Sequence, residues 1–192
     1  QAAIILALRG PDPRLAETLQ ALMVQDYPNF HIQVVVDNEQ DPVLRQVIEI
    51  QKSSVCDNVR VSVLRSPGRT CSLKCSSLIQ AVNDLESSVE ILAFIDGDVV
   101  PHPTWLKELA TPLINGEADV VGGNRWYLPP NAQFGTMARY FCYAAYMTGM
   151  CAQGAPWAGT MAFKRTTASR IRLLEAWSTA MSVDATVHRC MR

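Results

Sequence analysis

Short apolar runs alternate with helical patterns along the first half of the chain, and this alternation most restricts the possible folds. The run at 3–8 is typical of a parallel strand that is covered on both faces. Further strands are predicted at 32–36, 59–64 and 91–95. Between them, apolar residues recur at the spacing of an amphipathic helix. Such alternation with short connections predicts right-handed crossovers, and therefore an α/β fold with a mostly parallel sheet flanked by helices.

The pattern becomes less regular after residue 100. A helix is predicted near 104–113 and a strand near 118–121, followed by a long apolar stretch. No linker-like segment separates the two parts of the chain. We therefore expect a single domain over 1–192, with a regular half at about 1–100 and an irregular half at about 101–192.

Two Asp-Pro pairs indicate where helices begin. Asp12-Pro13 and Asp41-Pro42 each place a capping carboxylate before a proline ring. The ring holds the φ angle that a helix requires, so the pair favours a helix start.

Composition excludes several classes of protein. Of the 192 residues, 48% are hydrophobic and 18% are charged, which argues against a disordered chain. The 17 basic and 18 acidic side chains give a formal net charge of −1, without the positive excess that nucleic-acid binding requires. The six cysteines lack the paired spacing of a zinc site, which indicates buried, reduced thiols in a cytosol-facing protein.

No charged residue occurs between Arg139 and Lys164, a stretch long enough to span a bilayer. Gly149, Gly154 and Pro156 interrupt it, and its aromatic residues are not confined to its ends. The stretch therefore favours a buried helix followed by a loop and a strand over a membrane-spanning helix. A helix lying at a lipid interface is an intermediate interpretation.

Carboxylates follow two of the predicted strands. Val36 is followed by Asp37, and Ile95 is followed by Asp96-Gly97-Asp98. In open α/β sheets, ligands bind beyond the carboxyl ends of the strands. The carboxylates of Asp96 and Asp98 are separated by only one residue and repel each other, so we expect a cation or a network of hydrogen-bond donors to compensate their charge. A divalent ion such as Mg²⁺ or Mn²⁺, held by one or two carboxylates and by phosphate oxygens, fits this pattern.

The same acidic residues also have a purely structural interpretation. Asp and Gly favour turns, and a turn alone would account for Asp96 and Asp98. The acidic strand end at Asp37 favours a functional role for Asp96 and Asp98, because it lies at the corresponding end of an earlier strand in the predicted parallel sheet.

Four segments of the chain resemble glycosyltransferase family 2. They are similar to the first helix and turn of that family, its nucleotide-binding strand end, its Asp-x-Asp segment and its later glycine-rich strand. In this chain they lie at 15–28, ending in Gln25-Asp26-Tyr27-Pro28, and at 34–42, 93–106 and 154–165. The resemblance covers nearly the whole chain, and its middle and later segments are similar to the ceramide glucosyltransferase-like branch.

The resemblance implies a GT-A fold and transfer of a sugar from a nucleotide diphosphate donor, usually with inversion. The expected donor is a UDP-sugar, the acceptor a lipid or a saccharide, and the cofactor Mg²⁺ or Mn²⁺. By this resemblance Asp37 contacts the nucleobase, with Arg69 nearby. Asp96 meets the ribose or a metal-bound water, and Asp98 binds the metal directly. The halves at about 1–100 and 101–192 then correspond to nucleotide-binding and acceptor sides.

An inverting transfer also needs a base that takes the proton of the acceptor. The family supplies this base from an acidic residue after the glycine-rich strand, and Asp184 is the residue that fits. A surface carboxylate or a helix N-cap is the structural alternative. Val183 stands where many relatives carry a second acid, and His188, four residues further on, is interpreted as a bystander.

The chain departs from the family pattern in two places. The Gln-x-x-Arg-Trp element expected after the base is missing, since Arg125-Trp126 lies upstream and Gly122 occupies its glutamine position. Arg9-Gly10-Pro11-Asp12 replaces the usual Asn-Glu pair after the first strand. Because the sequence stops soon after Asp184, we expect a soluble fragment of a longer enzyme. That enzyme is expected to be attached to a membrane through other segments and to face the cytoplasm.

Three aromatic residues are candidates for an acceptor groove. Aromatic faces stack on sugars and cover lipids, and Trp126, Tyr127 and Trp157 lie in the later half of the chain. Packing in the core is the alternative for each of them.

Two other functions compete with glycosyl transfer. A sugar-phosphate nucleotidyltransferase would be expected to carry a glycine- and arginine-rich phosphate loop after the first strand, for which Arg9-Gly10-Pro11 is a poor substitute. A non-catalytic domain that keeps the fold and binds a nucleotide or a partner is also compatible with the missing terminal element.

Overall fold

The structure, a computed structural model, describes residues 1–54, 57–123, 129, 131–157 and 159–192. Its strands are β1 (Ala2–Leu8), β2 (Phe30–Val36), β3 (Val59–Val63), β4 (Ile91–Ile95), β5 (Val120–Gly122) and β6 (Thr160–Lys164). Its helices are α1 (Leu15–Met23), α2 (Pro42–Ser53), α3 (Leu73–Asn83), α4 (Trp105–Asn115), α5 (Phe134–Ala152), α6 (Arg165–Arg170), α7 (Leu173–Trp177) and α8 (Val183–Cys190).

The strands form one sheet in the order β3-β2-β1-β4-β6-β5. β3, β2, β1 and β4 are parallel, whereas β6 runs antiparallel to both β4 and β5. The prediction of a mostly parallel α/β sheet is therefore confirmed. The chain moves outward from β1 to β3 and then crosses back to β4 on the other side of β1. A reversal of this kind opens a crevice at the carboxyl ends of the two central strands.

Alternate side chains of the central strands enter two hydrophobic cores, one on each face of the sheet. Ile4 and Leu6 of β1 pack with residues of α1, α2 and α4. Ala3 and Ile5 pack on the opposite face with residues of α3, α7 and α8. Because β1 is buried on both faces, its sequence is a continuous apolar run, as is typical of parallel strands.

One of the two predicted helix starts is confirmed, and the other is displaced. Asp41 caps α2, since its Oδ1 accepts a hydrogen bond from the backbone N–H of Val43 at 2.9 Å. α1 begins only at Leu15, after a turn in which Asp12 Oδ1 accepts from the backbone N–H of Arg14 at 2.7 Å. The Asp12 side chain thus closes a turn outside the helix instead of capping it.

The uncharged stretch forms α5 and β6, but the prediction that its helix is buried is wrong. Among the described side chains of α5, Met147 alone is buried. Phe134, Phe141 and Tyr146 are exposed to 90%, 63% and 59%. A lack of charge indicates an apolar surface, but it does not say whether the same chain covers that surface. No helix in the described ranges is long and apolar enough to cross a membrane.

The prediction of buried thiols holds for one cysteine and fails for others. Cys75 is free and fully buried, and burial raises the pKa of its thiol. Cys142 and Cys151 are free but exposed on α5. Cys56 lies outside the described residues.

Candidate functional site

A cavity of about 580 Å³ lies at the carboxyl ends of the three adjacent parallel strands β2, β1 and β4. It is lined by Asp37 after β2, Arg9 after β1, and the segment Asp96-Gly97-Asp98 after β4. Lys74, in the first turn of α3, lies at another side of it, and Met181 also lines it. The two acidic strand ends singled out in the sequence therefore meet in one cavity at the topological switch point.

The segment after β4 is a turn and also part of the cavity wall. The backbone N–H of Val99 donates to the carbonyl oxygen of Asp96 at 3.2 Å, which closes the turn. A Cβ atom added at Gly97 would lie 2.6 Å from Cδ2 of Leu8, so any other residue at this position would have to displace the Leu8 side chain. The turn interpretation is thus correct as geometry, and the same turn brings Asp98 to the cavity.

Asp37 and Asp96 form ion pairs across the cavity wall. Arg9 Nε lies 3.3 Å from Asp37 Oδ2, and Lys74 Nζ lies 2.5 Å from Asp96 Oδ1. The Asp37 side chain is only 10% exposed, but its partner Arg9 is 73% exposed, so this pair is in contact with solvent. An ion pair of this kind contributes little to stability because solvent screens it.

Acidic side chains outnumber basic ones among the described residues that line the cavity. Among the described residues that line it, the acidic side chains are Asp12, Asp37, Asp96 and Asp98, and the basic ones are Arg9 and Lys74. A concave site with excess carboxylates attracts cations and repels anions. An anionic ligand would therefore bind here more readily together with a cation.

The donor groups present fit a divalent ion only if a ligand supplies further oxygens. In the described ranges, no group of three or more His, Cys, Asp or Glu side chains could hold a metal ion. Asp96 and Asp98 offer carboxylate oxygens, which Mg²⁺ and Mn²⁺ prefer. Mg²⁺ is commonly held by one or two carboxylates together with substrate phosphates. The residues thus fit an ion that binds together with a phosphate-bearing ligand.

Asp184 lies in the first turn of α8 and is half-buried. Its Oδ1 accepts a hydrogen bond from the Ser182 hydroxyl at 2.7 Å. Ser182 is itself the N-cap of α8, and its Oγ accepts from the backbone N–H of Ala185 at 3.4 Å. The N-cap interpretation of Asp184 is therefore wrong, because Ser182, two residues earlier, takes that place.

The segment that leads to Asp184 is attached to the cavity wall. The backbone N–H of Ser72, which lines the cavity, donates to the carbonyl oxygen of Ala180 at 2.9 Å. Met181 then lines the cavity, three residues before Asp184. Asp184 is not among the described lining residues, but the chain enters α8 from the cavity edge.

The remaining predicted site residues lie elsewhere. Arg69 is exposed on the loop before α3, and it is not among the described residues that line the cavity. Trp157 is half-buried and lines a second cavity of about 460 Å³ together with Met147 and Met150 of α5. Trp126, Tyr127 and the Arg125-Trp126 pair lie outside the described residues.

Reasoning from the sequence missed Lys74 and Met181 as cavity residues. A signal for Lys74 was present, since Ser72-Leu73-Lys74 begins the helix that follows β3. Helices that follow parallel strands begin at the same edge of the sheet where the strands end. Met181 follows no strand, and the sequence carried no comparable signal for it.

The chain matches a family model and a curated relative. A family model described as "Glycosyltransferase like family 2" matches residues 1–187. Glycosyltransferase AglE of Haloferax volcanii is 28% identical over 140 residues, which cover 72% of this chain and 43% of AglE.

Two solved structures share the fold. The mannosyltransferase PcManGT of Pyrobaculum calidifontis, in complex with GDP-Man and Mn²⁺, aligns with a TM-score of 0.63 at 17% identity. That alignment covers 88% of this chain and 46% of PcManGT. TarS 1–349 of S. aureus aligns with a TM-score of 0.59 at 17% identity, over 98% of this chain and 53% of TarS 1–349.

The chain thus spans about half the length of these relatives or somewhat less. The shared fold confirms the predicted GT-A architecture. The family match also favours glycosyl transfer over the nucleotidyltransferase alternative. The chain belongs to glycosyltransferase-like family 2.

Proposed function

We propose that this chain is the catalytic domain of a metal-dependent, inverting glycosyltransferase that moves a sugar from a UDP-sugar to a lipid or saccharide acceptor. The observation that carries the proposal is the convergence of Asp37, Asp96 and Asp98 in one cavity at the switch point of the sheet. The family match and the relative AglE support glycosyl transfer, and the complex of the structural neighbour PcManGT with GDP-Man and Mn²⁺ supports a nucleotide-sugar donor and a divalent ion.

The donor is proposed to bind with its base at Asp37 and its diphosphate near Asp98. The exposed position of the Arg9 side chain beside Asp37 leaves this edge of the cavity accessible to a ligand. Arg69, exposed on the loop before α3, is proposed to lie near the same base in the donor complex. Asp98 and Asp96 would hold Mg²⁺ or Mn²⁺, which when bound neutralises the charge that grows on the diphosphate leaving group.

Asp184 is proposed as the base of the transfer step. Its carboxylate takes the proton of an acceptor hydroxyl while the oxygen forms a bond to the anomeric carbon of the sugar. The bond from that carbon to the diphosphate oxygen breaks on the opposite face, so the configuration inverts. Attachment of the preceding segment to the cavity wall through Ser72 and Ala180 supports this role.

The acceptor side is proposed to lie toward α5, and the full-length protein to work at a membrane surface. Exposed Phe134, Phe141 and Tyr146 give α5 an apolar surface, and exposed apolar patches commonly mark interaction sites. The cavity beside Trp157 and Met147 adjoins the same helix. The balanced charge of the chain argues against a nucleic-acid acceptor.

The proposal is tested by calorimetric titration of the chain with UDP and a panel of UDP-sugars, with Mn²⁺ or with EDTA. Binding that requires Mn²⁺ supports the donor site, and no binding under either condition contradicts it. Turnover is then followed as release of UDP from the bound donor. Asp184→Asn is expected to abolish transfer while donor binding persists, whereas transfer that survives this change refutes the base assignment.

The same titration separates the enzyme from a non-catalytic binding domain. A non-catalytic domain would bind UDP but would release no UDP from any UDP-sugar, even when extracts that contain lipid or saccharide acceptors are added. An enzyme is expected to release UDP at a rate that depends on the acceptor.

A further inference from the structure

Lys74 is a basic residue of the cavity to which the proposed reaction assigns no role. It lies in the first turn of α3, which is capped by Ser72. Its ammonium group lies 2.5 Å from Asp96 Oδ1, and the side chains of Lys74 and Asp96 are 41% and 31% exposed. The pair is therefore accessible from the cavity instead of being sealed in the core.

The position of this ammonium group has a consequence for cation binding. The Lys74 ammonium group already compensates the Asp96 carboxylate, so a metal ion held by Asp96 would compete with it. The lysine stem has four flexible carbons and carries a compact charge with three donors. A small rotation of that stem can therefore move the charge from Asp96 to a neighbouring anion in the same cavity.

We propose that Lys74 is an exchangeable counter-ion, which pairs with Asp96 before the donor binds and with the diphosphate afterwards. This inference rests on the proposed donor site. In the free protein Lys74 limits binding of the bare metal ion, because it already compensates Asp96. When a nucleoside diphosphate and its metal ion bind together, the ion takes over Asp96 and the ammonium group donates to phosphate oxygens. Lys74 thereby couples binding of the metal to binding of the diphosphate.

The exchange predicts that Lys74→Met raises the affinity for Mn²⁺ alone and lowers the affinity for UDP with Mn²⁺. Lys74→Met removes the competitor for Asp96, so affinity for Mn²⁺ alone is expected to rise several-fold, by about 2- to 5-fold if one exposed ion pair is relieved. The same change removes a charge-assisted hydrogen bond to phosphate, so affinity for UDP with Mn²⁺ is expected to fall about tenfold or more. Uridine, which lacks the diphosphate, is expected to bind the variant and the wild type equally.

Two further variants control the experiment. Lys107 forms a similar exposed ion pair, with Asp26 Oδ2 at 3.1 Å, on a part of the surface outside the cavity. Lys107→Met is therefore expected to leave both affinities unchanged. Lys74→Arg keeps the positive charge and is expected to restore much of the UDP affinity that Lys74→Met loses.

Binding of Mn²⁺ alone is measured by electron paramagnetic resonance of the free ion, and binding of UDP and uridine by calorimetry. Tighter Mn²⁺ binding with weaker UDP binding in Lys74→Met supports the exchange. Parallel weakening of both ligands would show that Lys74 is only structural and overturns it, as does unchanged UDP affinity. If the wild type binds no UDP, the donor site and the transfer of Lys74 to a diphosphate both fail. The Mn²⁺ titration then tests competition for Asp96 by itself.

Discussion

The Asp41 carboxylate holds Gly10, because its Oδ2 accepts a hydrogen bond from the backbone N–H of Gly10 at 2.9 Å. The other oxygen of the same carboxylate caps α2 through the backbone N–H of Val43. Gly10 has a φ of +73°, in the left-handed region that favours glycine. One buried carboxylate thus ties the loop after β1, which carries Arg9, to the helix that follows Asp37.

Asp41→Ala is expected to lower the free energy of unfolding by about 1–3 kcal/mol, because it removes a helix cap and leaves two backbone N–H groups without this acceptor. UDP affinity should fall as well, since the loop that carries Arg9 loses its anchor. Urea denaturation measures the first effect and calorimetry the second. Asp41→Asn, which keeps one acceptor oxygen, should lose less stability, and an unchanged urea midpoint in Asp41→Ala would contradict the anchor.

Gly97→Ala is expected to destabilise the fold by about 1–3 kcal/mol, since the added methyl group must displace a packed side chain. That methyl carbon would lie 2.6 Å from Cδ2 of the buried Leu8. Gly149 provides a matched control, because a Cβ atom at this helical position meets nothing within 4 Å. Gly149→Ala should stabilise the protein by about 0.5–1 kcal/mol. Urea midpoints that move in the same direction for both variants would refute this explanation of Gly97.

The stability of the fold should decrease at acidic pH partly because of His31. Burial lowers the pKa of this imidazole, the charge of Arg60 lowers it further, and Glu86 opposes both. Because the pKa of His31 is lower in the folded state than in the unfolded state, the fold favours the neutral imidazole. This contribution to stability is present above the unfolded pKa of about 6.5 and is lost as the pH falls toward the folded pKa. Free energies of unfolding at several pH values should fall less steeply in His31→Gln, and equal slopes would contradict this role.

The free cysteines should differ sharply in their reaction with maleimide. Cys142 and Cys151 are exposed on α5 and should be modified rapidly in the native protein. Cys75 is buried and its thiol pKa is raised, so it should react only after unfolding. Mass spectrometry of peptides from native and urea-unfolded samples measures both groups. Rapid native modification of Cys75 would show that the core around α3 opens more readily than the packing indicates.

The regular half of the fold could be predicted because buried parallel strands leave a simple signal. β1 and β4 are continuous apolar runs, β2 and β3 are rich in valine, and the observed ends of all four lie within about two residues of the predicted ones. The meeting of Asp37 with Asp96 and Asp98 was predictable for a related reason, since the carboxyl ends of parallel strands share one edge.

The irregular half could not be predicted to the same degree. The burial of α5 depends on what covers it, and its apolar composition is the same whether Met147 or Phe141 faces the protein. The ion pair between Lys74 and Asp96 joins residues 22 positions apart, through a helix start and a strand end that only the fold brings together. Local patterns therefore locate the acidic strand ends but not the basic side chains that oppose them.

The most direct test of the central claim is the effect of Mn²⁺ on UDP affinity in the wild type and in Asp98→Asn, measured by calorimetry. Asp26→Asn serves as the control, because Asp26 is an exposed carboxylate outside the cavity, paired with Lys107. We expect Mn²⁺ to tighten UDP binding by about tenfold or more in the wild type and in Asp26→Asn, and to have no effect in Asp98→Asn. An equal Mn²⁺ effect in Asp98→Asn would contradict a shared cation that joins this carboxylate to the diphosphate.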